Sequence, residues 1–174
     1  GLDFISLSEV KIPQIEKANI HYNLGVVYCK IGQLTVAEYH LHESLSMCNN
    51  TEPSYFEGLY ALSIVSLMNE KFAQSEALLL AAIQGFQREK SVDFLLDSLK
   101  VLNHLSQRQS GWTEESRNPQ IPTILRAYAI NTQLDVHKRL ECYYQLIELE
   151  ISQKRYDSAH SLIQDCKELL HMHP

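Results

Sequence analysis

Apolar residues recur at intervals of three and four along most of the chain, and no stretch sustains the apolar–polar alternation of a strand. Glycine and proline, six and five in number, interrupt this pattern rarely. Most of the links between the periodic segments are short, so we expect neighbouring helices to be antiparallel. The pattern predicts an all-α protein of eight helices, at residues 12–31, 34–49, 53–69, 72–88, 91–106, 120–131, 134–153 and 156–171.

Three of the predicted helices repeat one pattern of residue sizes at their first position and three, seven and ten residues later. The matching sets are Leu34, Ala37, Leu41 and Ser44; Phe72, Ser75, Leu79 and Ala82; Tyr156, Ala159, Ile163 and Cys166. The first two sets lie 38 residues apart and the last two lie 84 apart, which leaves room for one further, altered pair. Repeated helical pairs are the mark of a solenoid. We therefore predict a right-handed superhelical α-solenoid of about four antiparallel pairs, forming a single repeat domain over residues 1–174.

Gly25 lies inside the first predicted helix, where glycine costs about 1 kcal/mol relative to alanine. A glycine lets two helices approach more closely than any side chain would allow. We expect the two helices of the first pair to cross at Gly25, with the closer contact offsetting the cost.

The first pair resembles a tetratricopeptide repeat (TPR). The residues that stand at the places of that motif are Leu24, Gly25, Tyr28, Gly32, Leu34, Ala37 and Leu41. The second pair is degenerate, with Ser63 at the glycine place, and the third pair is atypical. The fourth pair keeps Tyr156 and Ala159 but has Ile147 instead of glycine. The resemblance covers most of the chain and implies a helical repeat domain that binds a protein or peptide.

Degenerate repeats of this kind, and the segment HYNLG at residues 21–25, also resemble the sensor domains of the Rap and NprR type of Gram-positive quorum-sensing receptors. This narrower resemblance implies the ligand-sensing part of a cytoplasmic bacterial regulator that responds to a short signalling peptide. Two alternatives stay open: a general protein-interaction scaffold without a small peptide ligand, and a purely structural repeat segment. Because the sequence begins with Gly1 and not Met, we expect a fragment or a processed product of a longer protein.

In a helical solenoid, the first helix of each pair lines the concave face. Asparagine amides on that face can pair with the backbone of an extended peptide, and tyrosine offers apolar area together with a hydroxyl. Carboxylates outnumber lysines there by five to two, which suits a peptide with a basic residue or a free amino end. A solvated face that binds nothing specific is the alternative. Helical phase places on this face Asn19, Tyr22, Asn23, Val26, Lys30, Glu57, Tyr60, Ile64, Asp93, Asp97, Lys100, Asn103, Glu141, Tyr144, Gln145 and Glu148.

Charge and composition exclude several classes of function for this sequence. The formal net charge is −6, which argues against nucleic-acid binding through this domain. No apolar run is long enough to span a membrane, and there is no secretory signal. The cysteines form no Cys-x-x-Cys pair, so we expect reduced thiols in the cytoplasm, with a disulfide as the alternative. They are Cys29, Cys48, Cys142 and Cys166.

Signatures of catalysis are not found in the sequence: there is no Gly-rich phosphate loop, no Gly-x-Ser-x-Gly and no catalytic Cys–His pattern. Glu38 and His42 lie one helical turn apart and could hold a metal ion, but we interpret them as a solvent-exposed pair. We expect no enzyme activity, no cofactor and no metal site. The expected partner is a short linear peptide or a protein, and a homodimer is a further option.

One predicted link is long. Residues 106–118, SQRQSGWTEESRN, are polar and contain the only tryptophan, Trp112. Links of this length are usually functional or disordered. The sequence leaves open whether Trp112 folds back as a plug in an ordinary helical hairpin or belongs to a contact loop.

Overall fold

The computed structural model describes residues 12–108 and 120–173, and the secondary structure of these residues is entirely helical. No predicted helix end lies more than two residues from the observed one. The all-α class of repeated helical pairs is therefore confirmed, whereas Trp112 lies outside the described residues. Within those residues the helices are α1 Gln14–Lys30, α2 Leu34–Met47, α3 Pro53–Met68, α4 Phe72–Glu89, α5 Val92–Arg108, α6 Gln120–Ala129, α7 Val136–Ser152 and α8 Tyr156–Met172.

The chain divides into two compact units, Gly1–Leu95 and Leu96–Pro174. In the first unit, α1 packs on α2, α2 on α3, and α3 on α4. In the second unit, α7 packs against both α6 and α8. The single-domain organisation and the right-handed superhelical course of the whole chain stay predictions.

Contacts between α1 and α2 establish that the pair is antiparallel. Near the start of α1, the Gln14 amide donates a hydrogen bond to the carbonyl of Met47, at the end of α2, over 3.4 Å. Further along α1, the Nδ1 atoms of His21 and His40 lie 3.0 Å apart. The partner number falls as the α1 number rises, as the short turn between the two helices requires.

The turns within the helical pairs show the repeat directly. Gly32, Glu70 and Lys154 adopt the left-handed backbone conformation, with φ of 81°, 59° and 58°. In each turn, the N–H of the next residue donates a hydrogen bond of 2.9 Å to the carbonyl five residues earlier. These three turns lie 38 and 84 residues apart, which are the offsets of the sequence repeat. Three hairpins therefore share one register.

The small residues of the repeat lie where helices meet. Ala37, Ser75 and Ala159 are all buried. The Ser75 hydroxyl donates a hydrogen bond of 2.8 Å to the carbonyl of Ser63, which joins α3 and α4. These contacts confirm that the sequence pattern identified the crossings of the helical pairs.

Gly25 is confirmed as a point of close approach. A Cβ atom on this residue would lie 2.6 Å from Cγ of Leu41 in α2, which is closer than real contacts allow. The sequence pattern did not single out two further glycines with the same role. A Cβ on Gly58 would lie 2.8 Å from Cδ2 of Leu45, and one on Gly85 would lie 2.2 Å from the ring of Phe56.

The four cysteines are free, and they differ in burial: Cys142 is buried, and the other three are partly exposed. Burial, followed by the nearby Glu141 carboxylate, raises the pKa of Cys142 to about 11. The thiolate is the reactive form of cysteine. We therefore expect a thiol reagent at pH 8 to label Cys48 in the folded protein and to leave Cys142 unmodified, as measured by peptide mass spectrometry. Equal labelling of Cys142 and Cys48 before unfolding would contradict this expectation.

Candidate functional site

Eight of the predicted binding residues lie on α1 and α3 in the first unit, and the surface that helical phase assigns to them is here called the first-helix face. Three of them are exposed and the other five are partly buried, so all eight are accessible. The exposed ones are Asn19, Asn23 and Lys30, and the partly buried ones are Tyr22, Val26, Glu57, Tyr60 and Ile64.

Tyr22 on α1 lies close enough to Glu57 and Tyr60 on α3 for their charges to interact. Burial has the largest effect in raising the pKa of Tyr22, and the neighbouring Glu57 and Tyr60 raise it further. The Tyr22 side chain also packs against a buried cluster formed by α2 and α3, which holds the ring in place. That cluster consists of Ala37, Leu41, Leu62 and Val65.

Glu57 is a partly buried carboxylate, and burial raises its pKa. Across residues 12–108 and 120–173, no Lys, Arg or His side chain lies within ion-pair distance of it. Glu38 on α2 shows the contrast, because its carboxylate pairs with Lys71 Nζ at 3.0 Å. Glu57 has lost part of its hydration without gaining a cation, so a cationic ligand would stabilise it.

An aromatic side chain that helical phase did not place at the site extends this surface. Phe94, in the first turn of α5, makes an edge-to-face contact with Tyr60 at a ring-centroid distance of 6.2 Å. Phe94 also stacks on Phe86, at a ring-centroid distance of 5.2 Å. Phase had assigned the neighbouring Asp93 and Asp97 to this face. The signal available in the sequence was an aromatic residue between these two aspartates.

In the second unit, the predicted residues pair with one another. Lys100 Nζ lies 3.2 Å from the carboxylate of Asp97 and also forms an ion pair with Glu141. The hydrogen bond with Glu141 is the main reason why the pKa of Lys100 is raised. The Tyr144 hydroxyl donates a hydrogen bond of 2.7 Å to Glu148. These contacts neutralise part of the negative charge that the sequence analysis expected this face to offer to a basic ligand.

Gln145 and Asn103 do not offer a surface to a ligand, because both side chains are buried, Gln145 with only 5% of its area exposed. For Gln145 the cause is the packing of α7 against both α6 and α8. Tyr144, the residue next to Gln145, is 57% exposed. We therefore leave Gln145 out of the candidate site.

The histidines bring two imidazoles together at one place. His40 stacks on Tyr28 at 5.4 Å, and its Nδ1 lies within hydrogen-bond distance of that of His21, at 3.0 Å. No group of three or more His, Cys, Asp and Glu side chains within the described part of the chain could hold a metal ion. Glu38, the ligand candidate beside His42, forms its ion pair with Lys71. Among the described helices, none is long and apolar enough to cross a membrane.

No protein-family model matches the sequence, and a search of curated proteins finds no match. Solved structures do match. BtubC (BKLC) from P. vanneervenii is 16% identical, with a TM-score of 0.70 over 96% of this chain and 70% of that one. Two structures of TPR-like repeats, from a protein assigned as a kinesin light chain of Podospora anserina, are 11% identical and cover 91% of this chain. The matched regions cover 96% and 97% of those two chains, and the TM-scores are only 0.38 and 0.37.

The similarity to BtubC is a similarity of fold, because 16% identity is too low to carry function. These three structures are not described as peptide receptors, so the resemblance to Rap and NprR receptors stays a hypothesis. The chain shares the fold of BtubC, and its own helices form repeated pairs.

Proposed function

We propose that this chain is a non-enzymatic protein-interaction module that binds an extended peptide segment on the first-helix face. The observation that carries the proposal is the Glu57 carboxylate, which is partly buried beside Tyr22 and has no cation of its own among the described residues. A ligand that brings a positive charge to Glu57 would restore the interaction that burial removed.

The ligand we infer has three chemical features. A guanidinium, a lysine ammonium or a free amino end pairs with Glu57, and the rings of Tyr22 and Tyr60 add cation–π attraction. The exposed amides of Asn19 and Asn23 can both donate and accept, so they suit the unpaired backbone groups of an extended segment. The aromatic surface that continues to Phe94 suits an apolar side chain next to the cation.

The finer proposal is that the ligand is a short signalling peptide and that the chain is the sensing part of a cytoplasmic bacterial regulator. Four free thiols are in keeping with a reducing compartment. The alternative is a scaffold that holds a segment of a folded protein on the same face. Affinity decides between them: a sensor binds the free peptide in the micromolar range, roughly −8 kcal/mol, whereas the scaffold needs the folded partner.

Glu57→Gln provides the first test of the site. We expect calorimetric titration with a library of extended peptides to select Lys, Arg or a free amino end. We expect the variant to bind the best peptide about 10- to 100-fold more weakly, because one charged partner is lost. Asn23→Ala and Tyr60→Ala should also weaken binding. If all three variants bind that peptide as tightly as the parent does, the proposed face is wrong.

Stability gives the second part of the same test. The pKa of Glu57 is raised on folding, so the folded protein holds this proton to higher pH than the unfolded chain does. The ionised carboxylate therefore disfavours folding, and stability falls as pH rises through the titration of Glu57. We expect Glu57→Gln to melt no lower than the parent at neutral pH while losing affinity. Glu76→Gln is the matched control, because burial also raises the pKa of Glu76 but that residue lies on α4.

A further inference from the structure

One side of α1 carries an apolar stripe that the rest of the described chain does not cover. Ile20, Val27 and Ile31 are 49%, 53% and 60% exposed, and Leu24 between them is partly buried. We call these four residues the α1 stripe. A helix side that no neighbouring repeat covers is normally polar in repeat proteins. The apolar α1 stripe therefore indicates a surface against which a further helix packs.

The repeat identifies what such a stripe contacts. Residues 38 positions later form the corresponding stripe of α3, and there it is covered by α2. Leu62 and Val65, the counterparts of Leu24 and Val27, are 2% and 0% exposed and belong to the buried cluster with residues of α2. Gly58, the counterpart of Ile20, approaches Leu45 of α2. A stripe at this position is therefore a packing surface for the second helix of another pair.

Among the described residues, α8 is a second helix whose outer side no other helix covers. Residues of α8 lie 122 positions after their counterparts in α2. Leu41, which is fully buried between α1 and α3, corresponds to Ile163, which is partly exposed. Cys48 corresponds to Leu170, which is 52% exposed. The outer side of α8, defined by Ile163, Lys167 and Leu170, is thus the surface that a following first helix would cover.

We propose that the α1 stripe of one copy of this chain packs on the outer side of α8 of a second copy, in the way that α3 packs on α2. Leu45 opposes Gly58 in that packing, so the same register places Lys167 of one copy beside Ile20 of the other. Glu16, one turn before Ile20, then provides the opposite charge for Lys167, whose aliphatic stem covers apolar surface. The contact joins two different surfaces, so it is a head-to-tail contact in which each copy can bind one neighbour at each surface.

Sedimentation equilibrium measures this association. The weight-average mass of the parent chain should at least double between about 5 µM and about 500 µM, which corresponds to an affinity in the micromolar range. Val27→Lys should remain monomeric throughout, because it places a charge in the apolar contact. Leu170→Lys should remain monomeric for the same reason at the other surface. Ile130→Lys, which replaces an apolar residue that is 67% exposed outside both surfaces, is the control and should associate like the parent.

A mixture of two variants tests the head-to-tail arrangement itself. Val27→Lys keeps an intact α8 surface, and Leu170→Lys keeps an intact α1 stripe, so an equimolar mixture should form dimers and nothing larger. A parent that stays monomeric at about 500 µM would overturn the proposal. It would also fail if Leu170→Lys associated alone while Val27→Lys did not, because that result indicates an α1-to-α1 dimer. Association of every variant to the same extent as the parent would exclude both surfaces.

Discussion

The Arg126→Ala/Arg155→Ala double variant is expected to lose about 3–5 kcal/mol of unfolding free energy, because it leaves a buried carboxylate without its cations. Glu150 on α7 is only 3% exposed. Arg126 Nη2, on α6, lies 3.4 Å from Oε1, and Arg155 Nε, just before α8, lies 2.7 Å from Oε2. The contact at Oε2 is an ion pair without hydrogen-bond geometry. Three consecutive helical elements therefore meet at one buried charge.

Urea unfolding followed by circular dichroism measures this loss, and two controls separate it from a general effect of removing cations. Lys71→Ala breaks the exposed ion pair with Glu38, which should cost less than about 1 kcal/mol. Adding Glu150→Leu to the double variant removes the stranded charge and should recover most of the loss. A double variant within about 1 kcal/mol of the parent would mean that water reaches Glu150 once the arginines are gone.

Nothing in the sequence distinguished Glu150 from the other carboxylates of its helix. Burial of that residue depends on α6 and α8 both covering α7, which is a property of the assembled helices. The repeat pattern succeeded for Ala37 and Ser75 because a helix crossing needs a small residue at a fixed number of positions from the turn. Such a position can be identified from the sequence of one helical pair. The α1 stripe could be predicted in part. Its spacing predicted the helix, but only the comparison with α3 shows what kind of surface it is.

In the candidate site, too, features that depend on one helical pair could be predicted from the sequence, whereas those that depend on the packing of several helices could not. Helical phase placed Tyr22, Glu57 and Tyr60 on one face, and the structure brings them together because α1 and α3 are related by an undisturbed offset. The same method failed for Gln145, which is buried because α7 packs against both α6 and α8. The ion pair between Lys100 and Glu141 was also missed, because helical phase gives the side of a helix and not the partner across it.

Gly85 on α4 is the tightest glycine contact in the described chain. A Cβ atom there would lie 2.2 Å from both Cγ and Cδ1 of Phe56. The Phe56 ring has little room to move, because it is buried and meets Phe86 edge-to-face at 6.4 Å. Arg88 covers the ring with its guanidinium carbon 5.1 Å from the centroid. The clash would fall near the base of this ring, so a rotation of the ring does not relieve it.

Gly85→Ala is therefore expected to destabilise the protein by about 1–3 kcal/mol through overpacking. This sign is opposite to that of helix propensity, which alone favours alanine by about 1 kcal/mol inside a helix. Gly25→Ala should act in the same direction but less strongly, because its nearest atom, Cγ of Leu41, would lie 2.6 Å away, compared with 2.2 Å at Gly85. Urea unfolding of the two variants beside the parent measures the order of these effects.

Gly58→Ala is the matched control, since it makes the same change inside a helix of the same unit. Its closest neighbour would be Cδ2 of Leu45 at 2.8 Å, the far end of a flexible side chain that can rotate away. We expect its loss of packing and its gain in helix propensity to cancel within about 1 kcal/mol. If Gly85→Ala were as stable as Gly58→Ala, the separation of α3 and α4 would not be set by Phe56. The glycine would then be replaceable, and helix propensity would decide the outcome at all three positions.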